Sequence, residues 1–203
     1  MMYKIMEELF MKKVIYDNYF WQNDLVRLRP WSEDDWEWIY YTGFDTSLSR
    51  LASYKVNFPP TVSGAKEYCK EVENCITKNG NTVFAIESLD GIHVGRIIFS
   101  LDNERHGTFG IGIRIATKYQ GKGYGTSAMK ILLQYGFMES RLNKCSSTVL
   151  EGNEATIKMH KKLGYEQEGI LKQNIYTNGR YYDEICFGLT KDMYLKNIAE
   201  KKI

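Results

Sequence analysis

Residues 120 to 125 read Gln-Gly-Lys-Gly-Tyr-Gly, a glycine-rich loop whose place in the chain suits phosphate binding. Apolar residues alternate through residues 108 to 116 before it, which predicts a strand, and recur between Ala128 and Tyr135 at helical spacing. The loop therefore opens a helix, whose first backbone N–H groups lack helical partners and lie at the positive end of the dipole. Such a helix start can bind a phosphate or pyrophosphate, although a helix-capping turn that binds no ligand would have the same sequence pattern.

Two well-known nucleotide-binding loops fit this stretch poorly. A P-loop needs Ser or Thr after Gly-Lys, whereas Gly123 follows Lys122, and the dinucleotide fingerprint needs Gly or Ala where Thr126 stands. Gln120, Gly123 and Gly125 instead match Gln/Arg-x-x-Gly-x-Gly/Ala. The loop thus resembles the pyrophosphate loop of the GNAT superfamily of N-acetyltransferases.

Residues 153 to 165 (NEATIKMHKKLGY) resemble the second signature of the same superfamily, Asn-x-x-Ala/Ser, a Tyr four residues later and Lys-x-Gly-Phe. The position of the signature Tyr holds His160. A capped surface helix would also explain the segment, since Asn is a good N-cap and Gly a good C-terminal stop. Matches and close substitutes occur at Asn153, Thr156, Lys162, Gly164 and Tyr165.

The closing segment, Glu168 to Lys172 followed by Asn178-Gly179 and Asp183, resembles the final hairpin of the ribosomal-protein and polyamine N-acetyltransferase branch. Asn-Gly between two apolar runs is also a hairpin signal on physical grounds. With Leu28-Arg29-Pro30 near the start, the resemblance covers about residues 25 to 192.

The resemblance implies an α/β (α+β) fold with a central mixed, mostly antiparallel sheet, splayed at the cofactor site, and helices on both faces. Hydrophobic periodicity and capping residues place the elements along the chain. Strands are predicted at 25–29, 82–87, 93–101, 108–116 and 144–150, with helices from Ser32, over 61–77, after the Gly loop and over 153–164, then the hairpin.

Length and composition favour one enzyme domain at residues 21–195, with a helical N-terminal extension at 1–20 and a tail at 196–203. The 203 residues, 43% of them apolar, can bury one substantial core, and no linker-like stretch divides them. The extension lacks the apolar run of a signal peptide. Three alternatives stay open for it: it packs on the domain, it packs on a second copy in a homodimer, or it is a frayed end.

Several protein classes are disfavoured by the sequence. Four cysteines without CxxC spacing and three distant histidines predict reduced thiols in a cytoplasmic protein and no metal site. A net charge of +2 gives no sign of nucleic-acid binding, and no stretch is long and apolar enough to predict a membrane span.

The resemblance implies acetyl-CoA as cosubstrate and direct transfer of its acetyl group to a primary amine: a protein N-terminus, a polyamine or an aminoglycoside-like molecule. In the family, the strand before the Gly loop pairs its backbone with the pantetheine arm. The positions that inherit cofactor contacts are Ile113, Arg114, Ile115, Gln120, Gly121, Lys122, Gly123, Tyr124, Gly125, Thr126, Asn153 and Thr156. A catalytically weak CoA-binding regulatory module is the alternative.

The residues that act as acid and base are only partly identified by the sequence. The signature Tyr protonates the departing thiolate in relatives, so His160 inherits that catalytic role, with a cleft-lining histidine as the alternative. Relatives often carry an acidic base on the Gly-loop strand, but residues 108–117 contain none. Nearby carboxylates are Glu87, Asp102 and Glu104, and the sequence does not choose between them.

The resemblance implies that the acceptor binds in a groove walled by the two early helices, and the first 60 residues are rich in aromatics. Aromatic faces can receive an ammonium group, but most of these side chains are expected in the core. The acidic run Glu33-Asp34-Asp35 would attract a cation, yet acidic residues also favour a helix N-terminus, which is the simpler explanation.

Overall fold

The computed structural model of this chain describes Val14, residues 16–72 and residues 81–200. Seven strands form one sheet in this part of the chain, in the order β1-β2-β3-β4-β5-β7-β6. Every neighbouring pair is antiparallel except β4 and β5, which run parallel. The strands are β1 (Val26–Pro30), β2 (Thr82–Ser88), β3 (His93–Asn103), β4 (Thr108–Ile115), β5 (Lys144–Leu150), β6 (Glu166–Thr177) and β7 (Arg180–Thr190).

Six α-helices accompany the sheet in the described residues. A short 3-10 turn precedes the first of them, and a π-helical turn at Tyr135–Glu139 extends the fourth. The helices are α1 (Trp36–Gly43), α2 (Thr46–Ser53), α3 (Val62–Val72), α4 (Tyr124–Gln134), α5 (Glu154–Lys162) and α6 (Lys191–Ala199).

Helices cover both faces of the sheet, which confirms the predicted α/β layering. One face packs its apolar residues against α4, whose buried residues include Met129 and Leu132. The other face packs against α1 and α3 through a smaller cluster that contains Trp31, Trp38 and Cys69. Alternation along the strands produces this division, because successive side chains point to opposite faces.

The strands β4 and β5 pair over only three residues, from Thr108 opposite Lys144 to Gly110 opposite Ser146. Beyond that point β4 continues to Ile115 with only β3 as a partner, while β5 continues to Leu150 with only β7. The predicted splay is therefore present. It leaves one edge of β4 free beside the start of α4.

Most predicted elements agree with the structure to within one or two residues, and both positive φ angles at Asn178 and Gly179 confirm the hairpin turn. Two helices were not predicted. These are α2, between the early helices, and α6, which crosses the predicted boundary at residue 195. Of the predicted helical extension, residues 16–20 form turns, and residues 1–13 and residue 15 lie outside the described residues. The predicted helix end at 73–77 also lies outside the described residues.

Candidate active site

The divergence of β4 and β5 opens a cleft of about 540 Å³, here called the β4–β5 cleft. It runs from the Gly loop and α5 on one side of the sheet to α2 on the other. Every cofactor position predicted from the sequence lines this cleft except Lys122, and His160 lines it too. The structure thus brings together residues that lie up to 47 positions apart, from Ile113 to His160.

The Gly loop closes one end of the cleft and has the backbone shape that binds anions. Gly121 and Gly123 have φ angles of +74° and +85°, a region that disfavours residues with a Cβ. The first helical hydrogen bond of α4 runs from Ser127 N to Gly123 O at 3.0 Å. The N–H groups of residues 124–126 therefore lack helical acceptors and remain available at the dipole's positive end.

The two side chains of the loop differ in what they contact. The amide of Gln120 donates a hydrogen bond to the carbonyl oxygen of Ile115 at 3.0 Å, which ties the loop to the free edge of β4. The ammonium of Lys122 instead lies outside the cleft, 5.7 Å from the centre of the Tyr119 ring. Lys158 and Lys162 of α5 line the cleft, and the sequence analysis gave them no role in the site.

The helix α5 holds the opposite wall. Asn153 caps it, since its side-chain oxygen accepts a hydrogen bond from Thr156 N at 3.3 Å. One turn later, Nδ1 of His160 lies 2.9 Å from the carbonyl oxygen of Thr156. A carbonyl can only accept, so Nδ1 carries the proton and the neutral ring presents Nε2 as a lone pair.

His160 is almost fully enclosed, between Tyr165 at 4.7 Å and Phe187 at 5.3 Å between ring centres. Its buried Nε2 has no hydrogen-bond partner among the described residues. Burial lowers the pKa of the imidazole, because the charged form loses solvation, so the ring is neutral at pH 7. The cleft therefore contains a neutral imidazole with one unpaired basic nitrogen.

The three carboxylates considered from the sequence occupy different environments. Glu87 binds Arg27 at 2.7 Å and Arg29 at 2.9 Å in ion pairs within the sheet. Glu104 lies exposed in the turn between β3 and β4. Asp102 is also exposed, but a Cβ added to Gly110 would come within 3.3 Å of its Oδ2. Its carboxylate thus lies over Gly110, where β4 and β5 begin to separate.

Strand alternation explains this position of Asp102. Ser100 is the register partner of Gly110, so Asp102, two residues further along β3, lies on the same face, and the register shifts only beyond this pair, between Leu101 and Asn103. Loss of solvent raises the pKa of Asp102, against a smaller opposing effect of its hydrogen bond with Ser100. The carboxylate is therefore a somewhat stronger base than an ordinary surface aspartate.

A family comparison decides what kind of protein has this cleft. The model of the acetyltransferase (GNAT) domain matches residues 26–166, more than half of the chain. The chain belongs to the GNAT family of acetyltransferases. It is therefore an acyltransferase, and the fold predicted from the two signatures is confirmed.

Relatives cover most of this GNAT protein. The SPbeta prophage-derived uncharacterized N-acetyltransferase YokL of Bacillus subtilis is 30% identical over 178 residues, covering 88% of this chain and 97% of the relative. The spermidine N(1)-acetyltransferase of Escherichia coli K12 is 28% identical over 170 residues, covering 84% of this chain and 88% of the relative.

Solved structures share the fold at lower identity. The spermidine N-acetyltransferase from Vibrio cholerae, solved with CoA and spermine, superposes with a TM-score of 0.73 at 22% identity, covering 85% of this chain and 99% of that one. A GNAT-family acetyltransferase from Bacillus anthracis gives a TM-score of 0.72 at 23% identity, covering 84% and 98%.

The residues of the cleft fit acetyl-CoA, which GNAT enzymes use. The unpaired N–H groups at the start of α4 suit a pyrophosphate, and the free edge of β4 offers backbone groups to the amides of a pantetheine arm. A Cβ on Gly121 would meet nothing within 4 Å, so the loop surface is open. Among the described residues, no group of three potential metal ligands occurs, and no helix is long and apolar enough to span a membrane.

Tyr54 is a cleft residue that the sequence analysis placed only among the early aromatics. It follows α2 with a left-handed φ of +60°, and its hydroxyl donates to the carbonyl oxygen of Thr148 on β5 at 3.1 Å. Burial, together with the charge of Glu184, raises the pKa of the phenol. Tyr54 therefore crosses the cleft as a neutral side chain at its α2 end.

Four other tyrosines, any of which could in principle donate a proton, lie outside the cleft. Tyr165 is buried in the core, where its hydroxyl donates to Sγ of Cys145 at 3.0 Å. Tyr176 and Tyr181 are exposed on the β6–β7 hairpin and pack edge to face with their ring centres 5.0 Å apart, and Tyr182 lies beside Arg180. None of these four lines the β4–β5 cleft.

The acidic run at the start of α1 has a structural role at Asp35. This carboxylate accepts hydrogen bonds from Arg29 at 2.7 and 2.9 Å and lies 2.9 Å from Nδ1 of His93. Burial alone would raise the pKa of Asp35, but the hydrogen bonds from Arg29 and His93 lower it well below its ordinary value. Asp35 is therefore fully engaged within the fold, as the simpler sequence interpretation expected.

The burial of His160 predicts a pH dependence of stability. Because its folded-state pKa is lower than the unfolded value of about 6.5, the unfolded chain binds the proton more readily. Stability from this residue is present above that value and is lost as pH falls through the folded pKa. We expect urea unfolding to show a smaller loss of stability below pH 6.5 in His160→Phe than in the wild type. Equal losses in both proteins would contradict the assigned neutral state.

Proposed function

We propose that this GNAT protein transfers the acetyl group of acetyl-CoA to a primary amine by direct attack, without a covalent enzyme intermediate. The observation that carries the proposal is the continuity of the β4–β5 cleft. It joins the anion-binding start of α4 to the free edge of β4 and then to the α2 side of the sheet. Acetyl-CoA and an amine can therefore enter from opposite faces and meet where the strands separate.

His160 is proposed to protonate the departing thiolate of CoA. His160 lines the cleft, and its buried Nε2 has no competing partner among the described residues, while the hydrogen bond from Nδ1 to Thr156 fixes the ring. Since the ring is neutral at pH 7, Nε2 must take up a proton before delivering it to sulfur. The lowered pKa makes the imidazolium a stronger acid, although the ring is then protonated in a smaller fraction of the molecules at pH 7.

Asp102 is proposed as the group that receives the proton of the attacking amine. An alkylammonium has a pKa near 10.4 and must lose a proton before it can attack a thioester. Asp102 lies over Gly110 beside the strand divergence, just outside the cleft lining, so the proton would pass through one water molecule. Its raised pKa favours this acceptor role over that of a fully solvated carboxylate.

Replacing Asp102 by Asn tests this role. We expect kcat to fall about 10- to 100-fold, near the lower limit for acid–base catalysis because the proton passes through water. The affinity for acetyl-CoA should remain unchanged, since the cofactor positions lie elsewhere on the cleft. Glu104→Gln is the matched control, because it removes a neighbouring exposed carboxylate from the turn that follows β3. If both variants lose activity equally, or neither does, Asp102 is not the base.

Turnover of acetyl-CoA in the presence of amines tests the proposed function itself. Release of free CoA thiol would be measured with N-terminal peptides, spermidine and aminoglycosides, and the acetylated product identified by mass spectrometry. The spermidine acetyltransferases among the relatives make polyamines one natural class for the panel. Tight acetyl-CoA binding without amine-dependent thiol release from any class would contradict the proposal and favour a regulatory CoA-binding module.

A further inference from the structure

Arg114 is a half-buried cation on the wall of the β4–β5 cleft whose charge has no carboxylate partner within 4.0 Å among the described residues. Its Nη2 donates to the hydroxyl of Ser49 on α2 at 3.2 Å. Its Nε is buried and has no hydrogen-bond partner there. A guanidinium presents five donors in a planar fork, so most of the binding capacity of Arg114 is unused.

A second arginine lies directly beside it. Arg96 of β3 is the register partner of Arg114, and its guanidinium donates to the hydroxyl of Tyr68 at 2.6 Å. Burial lowers the pKa of Arg114, and the like charge of Arg96 lowers it further, against a smaller opposing effect of the charge of Asp45. Two cations held side by side on one face of the sheet repel each other, and a bound anion would relieve that repulsion.

Asp45, whose charge acts on Arg114, and Glu184, whose charge acts on Tyr54, both have other hydrogen-bond partners. Asp45 accepts hydrogen bonds from Thr117 Oγ1 at 2.5 Å and from Leu48 N at 2.8 Å. Glu184 is only 7% exposed and accepts from the amide of Asn174 at 2.6 Å. None of the cleft-lining residues in the described ranges is an aspartate or glutamate. A polycation would therefore find no counter-charge on the cleft wall.

The floor beside Arg114 is open. Side chains of β4 alternate between faces, so residues 110 and 112 share the face of Arg114, and both are glycines. Gly112 is exposed, and a Cβ there would touch only Ile98, at 3.8 Å. At about 3.3 Å per residue, Arg114 lies roughly 7 to 13 Å along the strand from these glycines. A ligand of several bonds can thus span from the strand divergence to the guanidinium.

We propose that Arg114, backed by Arg96, binds a carboxylate on the acceptor, so that the preferred acceptor is a primary amine bearing a carboxylate several bonds away. This inference rests on the proposed function, because it assigns the acceptor end of the same cleft. The amine would lie near Gly110 and Asp102, and the carboxylate would receive paired N–H donors from the guanidinium fork. Arg114 is then a specificity residue whose backbone can still serve the cofactor.

Matched acceptors that differ only in one carboxylate test the inference. One pair is ε-aminocaproate and ε-aminocaproamide, and another is the tripeptide amides Ala-Glu-Ala and Ala-Gln-Ala. Binding to the enzyme loaded with CoA is measured by calorimetry, and kcat/KM is measured with acetyl-CoA. We expect the wild type to prefer the carboxylate member of a pair by about tenfold or more, as for a charge-assisted bidentate contact.

Three variants test whether Arg114 causes the preference for the acceptor that bears a carboxylate. Arg114→Gln should reduce the ratio within each pair to about one without changing acetyl-CoA affinity, and Arg114→Lys should retain part of it, since it keeps the charge but not the fork. Arg180→Gln, which removes an exposed arginine from the β6–β7 turn, should keep the wild-type ratio.

The outcomes separate this inference from the proposed function. Equal binding of both members by the wild type, or a preference that survives in Arg114→Gln, overturns the role of Arg114 even if amines are acetylated. Binding of neither member overturns it as well. Absence of acetylation for every amine, with the carboxylate preference in binding intact, contradicts the proposed function and leaves the anion site standing.

Discussion

Replacing His160 by Phe is expected to lower kcat about 10²- to 10⁴-fold, or roughly 3 to 5 kcal/mol of activation free energy. The variant removes the Nε2 atom that would deliver a proton to the CoA thiolate. Phenylalanine keeps a ring of similar size between Tyr165 and Phe187, so the wall of the cleft should persist. Acetyl-CoA affinity, measured by calorimetry, should stay near the wild-type value.

His160→Tyr distinguishes proton donation from packing. A phenol restores a donor at this position and should recover part of kcat. Because burial lowers the pKa of His160, the wild-type kcat should decline with rising pH at a value below the ordinary imidazole pKa of about 6.5. In the Tyr variant this decline should move upward, since a phenol holds its proton to about pH 10. If folded His160→Phe turns over at the wild-type rate, the imidazole only lines the cleft and is not the proton donor.

The parts of this site that the sequence predicts are those fixed by local chain geometry. The Gly loop follows a strand and precedes a helix, so its N–H groups are oriented by secondary structure alone. Asn153 and His160 lie two turns apart on one helix, and a single cap fixes their register. Resemblance to the GNAT signatures then assigns both segments to one cleft.

The parts that the sequence does not predict depend on contacts between distant elements. Asp102 lies over Gly110 because the β3–β4 register pairs Ser100 with Gly110, and no residue type in the sequence marks that register. Tyr54 crosses the cleft from a left-handed backbone position that is uncommon for a tyrosine. The helix before it, α2, is mostly polar and spans only eight residues, which is too few for a periodic pattern to predict a helix.

The unpaired state of Arg114 is a further result of the fold. In the sequence, Arg114 is one polar residue in an alternating strand, and its expected contribution was backbone contact with the cofactor. The β3–β4 register places Arg96 beside it, and α2 supplies a serine hydroxyl instead of a carboxylate. Whether a charged side chain in a cleft has a partner of opposite charge can therefore be seen only in the tertiary structure.

Gly125→Val is expected to weaken acetyl-CoA binding by roughly 30- to 150-fold, equivalent to about 2 to 3 kcal/mol, the loss of one or two charge-assisted hydrogen bonds. A Cβ on Gly125 would lie 3.5 to 3.6 Å from Ile115, Ile113 and Met159, which are ordinary contact distances. The larger valine side chain would then project between β4 and α5, across the cleft. It would keep the pyrophosphate and pantetheine arm from the backbone groups that bind them.

Gly125 is a better test of the loop than Gly123, whose φ of +85° would strain any side chain and confuse lost binding with lost folding. Gly169→Val is the matched control, because a Cβ there meets nothing within 4 Å and the residue lies on β6, outside the cleft lining. Calorimetry with acetyl-CoA should show weakened binding for Gly125→Val alone, with both variants retaining cooperative thermal unfolding. Unchanged affinity in folded Gly125→Val would remove the loop from the cofactor site, since a side chain in that channel cannot coexist with a cofactor that occupies it.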